Sequence, residues 1–113
     1  KKGIKYLFDT YILRKRDPLN FKDVESTTID YFLNEKKQTI GLIQIDVQGH
    51  ELKVLKGASK TLHSNKIKYI LVGTHGKHIH KKCLKYLENY DYSIEVDDLS
   101  PNYQPDGIIL ASK

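Results

Sequence analysis

Four side chains able to hold or move a proton or a hydroxyl crowd into six residues. Asp46, Gln48, His50 and Glu51 lie within the run I-Q-I-D-V-Q-G-H-E-L-K-V-L-K-G-A, from Ile43 to Ala58. A second polar group, Thr74 and His75, ends another apolar run. An imidazole titrates near neutral pH unaided, whereas a carboxylate needs help from its surroundings to act as a base there. Such residues suit the positioning and deprotonation of a bound polar molecule.

These groups need elements to hold them. Ile40 to Val47 reads as a strand bounded by Gly41 and Gly49. Only Gln44 interrupts its apolar interior, so it is expected to be covered on both faces, as parallel strands are. Glu51 to Leu62 reads as one helix with Leu52, Leu55, Ala58 and Leu62 on one face and Lys53, Lys56 and Lys60 opposite. Ile67 to Thr74 is a second buried strand. A helix over His78 to Asn89 turns Ile79, Cys83, Leu84 and Leu87 inward, and Tyr92 to Val96 and Gly107 to Ala111 are two further strands. Upstream, Val24 to Thr28 reads as a short β-branched strand and Asp30 to Asn34 as one helical turn. Residues 1–23 read as an irregular or hairpin excursion, and residues 24–113 carry the rest of the pattern.

Strand and helix alternate until the last two strands, which a loop joins. The pattern predicts an α/β sheet with right-handed crossovers, mostly parallel, with an antiparallel final strand. Asp46 and His75 then stand at the carboxyl ends of neighbouring strands, where open α/β sheets bind ligands. Each candidate also has a plainer reading. Asp46 can end its strand and cap the next helix, and Glu51 suits the positive end of a helix. His50 can be an ordinary loop residue, and Gln48 can bond within its own turn.

Composition narrows the class. The 113 residues carry 19 Lys and Arg against 14 Asp and Glu, a net charge of +5. The lysines are spread along the whole chain, and the tyrosines do not alternate with basic residues as in an RNA-reading sheet, so no nucleic-acid partner is expected. No apolar stretch approaches the length that spans a bilayer, and a cytoplasmic protein without a membrane partner is the expectation. The single Cys83 can form no internal disulfide. His75, His78, His80 and Cys83 invite a zinc reading, yet His78 and His80 face different ways on a helix and Cys83 belongs to the apolar stripe. Asp46 and Glu51 lack a third carboxylate at suitable spacing, so no metal is expected.

The run from Ile43 to Ala58, with Thr28-Ile29-Asp30 before it, Thr74-His75 after the second strand and Asp106-Gly107 before the last, resembles the FkbM-type methyltransferases. The resemblance covers roughly residues 24–113. It implies the carboxyl-terminal half of a Rossmann-like class I methyltransferase sheet. It implies an S-adenosylmethionine-dependent O-methyltransferase acting on a hydroxyl of a sugar, glycan or polyketide-like acceptor. Within it, His75 is the expected base and Asp46 the group that binds the acceptor or orients the base; Gln48, His50, Glu51 and Thr74 are expected to contact substrate. The family often has Glu at the position of Gln48, so a carboxylate role there does not carry over. The family's glycine-rich cofactor loop is not found in this sequence, and Gly73 and Gly76 make a poor nucleotide fingerprint. The cofactor-binding half is therefore expected upstream. The strand at 40–47 would then present an unpaired edge suited to self-association or to the rest of a longer protein. The alternative is a non-catalytic α/β module that serves association only.

Overall fold

The computed structural model of this protein describes residues 23–113. The first element follows from a cap. Thr28 is extended and its side-chain oxygen accepts the N–H of Tyr31 at 3.0 Å, which opens helix α1, Ile29–Phe32. Strand β1, Ile40–Ile45, leads through a tight turn to helix α2, Glu51–Lys56, and helix α3, Ser59–His63. Strand β2 spans Ile67–Thr74 and helix α4 spans Lys77–Asn89. Strands β3, Ser93–Asp98, and β4, Gly107–Ser112, complete the chain.

The strands form one sheet in the order β1-β2-β4-β3. β1 runs parallel to β2, with Ile43 opposite Ile70 and Ile45 opposite Val72. β4 inserts between β2 and β3 and is antiparallel to both, pairing Thr74 with Gly107 and Ile94 with Ala111. This is a mixed sheet rather than a mostly parallel one, because the inserted last strand makes two antiparallel ladders against one parallel ladder.

One face of the sheet carries the core. Ile45, Ile70, Val72, Ile109 and Ala111 point toward Leu55, Leu62, Cys83 and Leu87 of the helices, and all are buried. Each such large aliphatic side chain contributes roughly 1.5–3 kcal/mol by leaving water. Tyr92 joins them and donates its hydroxyl to the Ile67 carbonyl at 2.6 Å. The other face is open among the described residues. Leu42 is 54% exposed and its cross-strand neighbour Tyr69 is 39% exposed. Among the described residues β1 is therefore packed on one face only, in place of the expected cover on both, and Leu42 stands on its open face. Among the described residues β1 is also an edge of this sheet.

The expected single helix from Glu51 to Leu62 is broken in two, and Thr28-Ile29-Asp30 supplies the reason. Where a Cβ would sit on Gly57, the side chain of Thr28 is 3.2 Å away. The Asp30 N–H takes the Gly57 carbonyl at 2.9 Å. The Asp30 carboxylate then accepts the N–H groups of Lys60 and Thr61 at 2.9 and 2.8 Å and the Thr61 hydroxyl at 2.7 Å, so it caps α3 from another part of the chain. The stretch expected as a strand at Val24–Thr28 is irregular, its β-branched residues leading into the cap of α1. The expected excursion over residues 1–23 lies, but for Asp23, outside the described residues.

Candidate active site

Three chain segments meet at one end of the sheet. Asp46 follows β1, His75 follows β2, and Asp106 precedes β4, which starts beside the end of β2 because the two strands are antiparallel. Glu51, the first residue of α2, lies beneath them and is fully buried.

The turn between β1 and α2 is built around Glu51. Gln48 and Gly49 both take positive φ, 54° and 99°. The left-handed region is costly for Gln48 and natural for Gly49. The Glu51 carboxylate ties the turn down by accepting the N–H groups of Val47 and Gly49 at 3.1 and 3.0 Å. Burial alone would raise its carboxyl pKa, but the Gly49 N–H, the His75 ring and the Val47 N–H outweigh it and hold the carboxyl below its ordinary value.

The same oxygen of Glu51 lies 2.8 Å from Nδ1 of His75. A carboxylate only accepts, so Nδ1 carries the proton and the lone pair of the neutral ring is on Nε2. Nε2 faces Asp46 Oδ1 at 3.5 Å and Asp106 Oδ2 at 3.4 Å, and it has no hydrogen-bond partner. Burial lowers the pKa of His75, yet the hydrogen bond and charge of Glu51, with the charges of Asp106 and Asp46, prevail and raise it. Asp46, His75 and Asp106 bring ligand-type atoms within 4.8 Å of one another. The arrangement can take a proton from a bound hydroxyl or gather a cation.

A second histidine network stands behind the first. His80 is buried, with Nε2 2.8 Å from Asp97 Oδ1 and Nδ1 2.7 Å from the Thr74 hydroxyl. It locks the end of β2 to α4 and β3. A Cβ on Gly107 would lie 2.5 Å from the Thr74 hydroxyl oxygen and 2.8 Å from His80 Nδ1, so the start of β4 needs a glycine for this close approach.

The structure thus brings His75, Asp46 and Glu51 together and separates the other candidates. Thr74 is buried, its hydroxyl turned toward His80. Gln48 is exposed on the turn, and His50 is half-buried at the N-cap of α2 without a side-chain capping bond. Asp46 does not cap α2; it packs over Gly73, 3.5–3.7 Å from where a Cβ would lie. The histidine and cysteine group considered for zinc is dispersed: His75 bonds Glu51, His80 bonds Thr74 and Asp97, and Cys83 lies in the core. Asp106 supplies a further carboxylate at this corner. β4 runs antiparallel beside β2 and so begins where β2 ends, which local sequence pattern does not show.

A small α/β sheet of this order, with acid and imidazole at the carboxyl ends of its parallel strands, is consistent with a methyltransferase-type fold. The family described as "Methyltransferase FkbM domain" matches residues 6–94, and the chain belongs to that family. It is similar to a "Putative methyltransferase" of Jannaschia sp. (strain CCS1), 30% identical over 79 residues, which cover 63% of this chain and 28% of that protein. The chain thus spans less than a third of that relative's length. No solved structure matches the chain.

The described residues do not fit the methyl donor that the family implies. Gly76, at φ 111°, opens α4 by itself, without the successive glycines that let a backbone approach a nucleotide. No helix among the described residues is long and apolar enough to cross a membrane.

Proposed function

We propose that this segment forms the acceptor side of an O-methyltransferase centre in the cytoplasm, with a hydroxyl of a sugar, glycan or polyketide-like molecule as acceptor. S-adenosylmethionine is the donor in this reading and supplies the methyl group; its binding falls to residues outside those described. The observation that supports the reading most directly is the orientation of His75. Glu51 occupies Nδ1–H and leaves the Nε2 lone pair turned toward Asp46 and Asp106 at the carboxyl ends of β1 and β2.

Methylation of a hydroxyl requires the oxygen to be aligned and its proton removed. Nε2 takes that proton, and the carboxylates of Glu51, Asp46 and Asp106 stabilise the imidazolium that results. Asp46, the most exposed of the three, accepts hydrogen bonds from the acceptor and holds it in line. In the full-length protein, His75→Ala is expected to lower turnover by roughly 10²–10⁴-fold while leaving donor affinity unchanged. Unchanged turnover would remove His75 from the reaction, and no transfer of labelled methyl to any hydroxyl acceptor would remove the reading itself.

A second reading, association without catalysis, is favoured by the edge position of β1 among the described residues and by the exposed Leu42 and Tyr69 beside it. Self-association through this edge would appear as a concentration-dependent mass in sedimentation. A monomer at all concentrations, with the edge resistant to proteolysis, would oppose it.

A further inference from the structure

We infer that Asp46, His75 and Asp106 form a binding site for a divalent transition-metal ion. Three independent features point there. The first is spacing. Nε2 lies 3.5 Å from Asp46 Oδ1 and 3.4 Å from Asp106 Oδ2, too far for good hydrogen bonds. Four-coordinate ions hold nitrogen and oxygen ligands at about 2.0–2.1 Å, which sets neighbouring ligands about 3.3–3.4 Å apart. The two separations lie close to that edge, and the two carboxylate oxygens lie within 4.8 Å of each other.

The second feature is the unpartnered nitrogen. Nε2 of His75 is enclosed and makes no hydrogen bond, while the other ring nitrogen is held by a fully buried carboxylate. A carboxylate on the far nitrogen is the usual support of a metal-bound imidazole: it selects the tautomer, aims the ring and raises its basicity. Glu51 has that position, and the N–H groups of Val47 and Gly49 hold it there.

The third feature is charge. With a neutral ring, Glu51, Asp46 and Asp106 place three negative charges around one imidazole in a partly buried corner, and a divalent ion reduces this to one. One imidazole with two carboxylates suits zinc, cobalt or manganese better than magnesium or calcium, which favour all-oxygen sets. Asp46 is 52% exposed and Asp106 35% exposed, so solvent reaches the carboxylate side of the cluster.

Metal binding stands on the cluster alone, whereas a role for the ion in activating the acceptor rests on the methyltransferase reading. The two uses of Nε2 exclude each other. A bound ion would lower the pKa of a hydroxyl at its open position so that water could take the proton, whereas without the ion the ring would take it.

The test is calorimetric titration of the full chain with Zn²⁺, paired with the visible spectrum after Co²⁺ addition. One equivalent is expected to bind, with the intense absorption of four-coordinate cobalt. Asp46→Asn and Asp106→Asn preserve shape and should each weaken binding at least roughly tenfold. His78→Ala, exposed on α4 and outside the cluster, should leave it unchanged. Circular dichroism verifies that each variant folds. Absence of saturable binding, or binding indifferent to both Asn variants, would overturn the site. Zinc binding without methyl transfer would leave the site standing and count against the proposed activity, while methyl transfer in a protein that binds no ion would overturn only the site.

Discussion

Nδ1 of His75 lies 2.8 Å from Oε2 of Glu51, across 24 positions of sequence, and the same oxygen also accepts two backbone N–H groups of the β1–α2 turn. One carboxylate thus sets the shape of the loop after β1 and the direction of the imidazole after β2. The loop and the imidazole are coupled through a single buried atom, so perturbing Glu51 disturbs both.

Replacing Glu51 by Gln is the most direct probe of that coupling. The amide keeps the volume but not the charge, and one buried oxygen of Glu51 is already without a partner. A loss of about 1–3 kcal/mol in unfolding free energy is expected from denaturant titration. The His75 resonance in an NMR titration should move its midpoint down toward the ordinary histidine value. A midpoint that stays raised would show that Asp46 and Asp106, not Glu51, set it.

Stability should peak in a defined pH window. Glu51 is held below its ordinary value of 4.5, so its contribution is complete above that pH and is lost as pH falls through the lowered value. His75 is held above its ordinary 6.5, so its contribution is complete below that pH and is lost as pH rises through the raised value. The pair therefore contributes fully between pH 4.5 and 6.5. Unfolding free energies across the range should fall away on both sides of it in the wild type, and both slopes should flatten in Glu51→Gln.

Gly107→Ala tests the close approach at the start of β4. A methyl there would meet the Thr74 hydroxyl oxygen at 2.5 Å and His80 Nδ1 at 2.8 Å, both well inside contact. We expect destabilisation of about 1–3 kcal/mol, seen as a lowered Tm. Because Thr74 precedes His75, the His75 resonance should shift as well. An unaltered melting curve would mean that the Thr74–His80 pair gives way freely.

Cys83 should be inert in the folded protein. It is fully buried in α4, and burial, with the Glu51 charge adding to it, pushes its thiol up to about 12. A thiol reagent should label it only after denaturant is added. Rapid labelling of the native protein would show that α4 opens readily from the sheet.

Several elements were legible because they depend on local pattern. Ile67 to Thr74 reads as a strand and is one at the same bounds, and the helix expected from His78 to Asn89 begins one residue earlier, at Lys77. His75, Asp46 and Glu51 were legible as chemistry-bearing residues at strand ends and a helix start. The helix break was not, since Gly57 and Ala58 fit a continuous apolar stripe and only the distant Thr28 and Asp30 divide it. His80 was equally hidden. It reads as one of a group of possible zinc ligands, whereas its burial depends on Asp97 and Thr74 arriving from β3 and β2.

Local pattern suffices for the α/β character of the chain, the family resemblance and the residue types at the ends of its strands, because side-chain periodicity and turn residues act over a few positions. Tertiary structure decided which of those residues meet. Insertion of β4 antiparallel to β2 brought Asp106 to His75, and burial of Glu51 chose which ring nitrogen faces outward. Pairing across dozens of residues depends on strand order and packing, which local pattern does not encode.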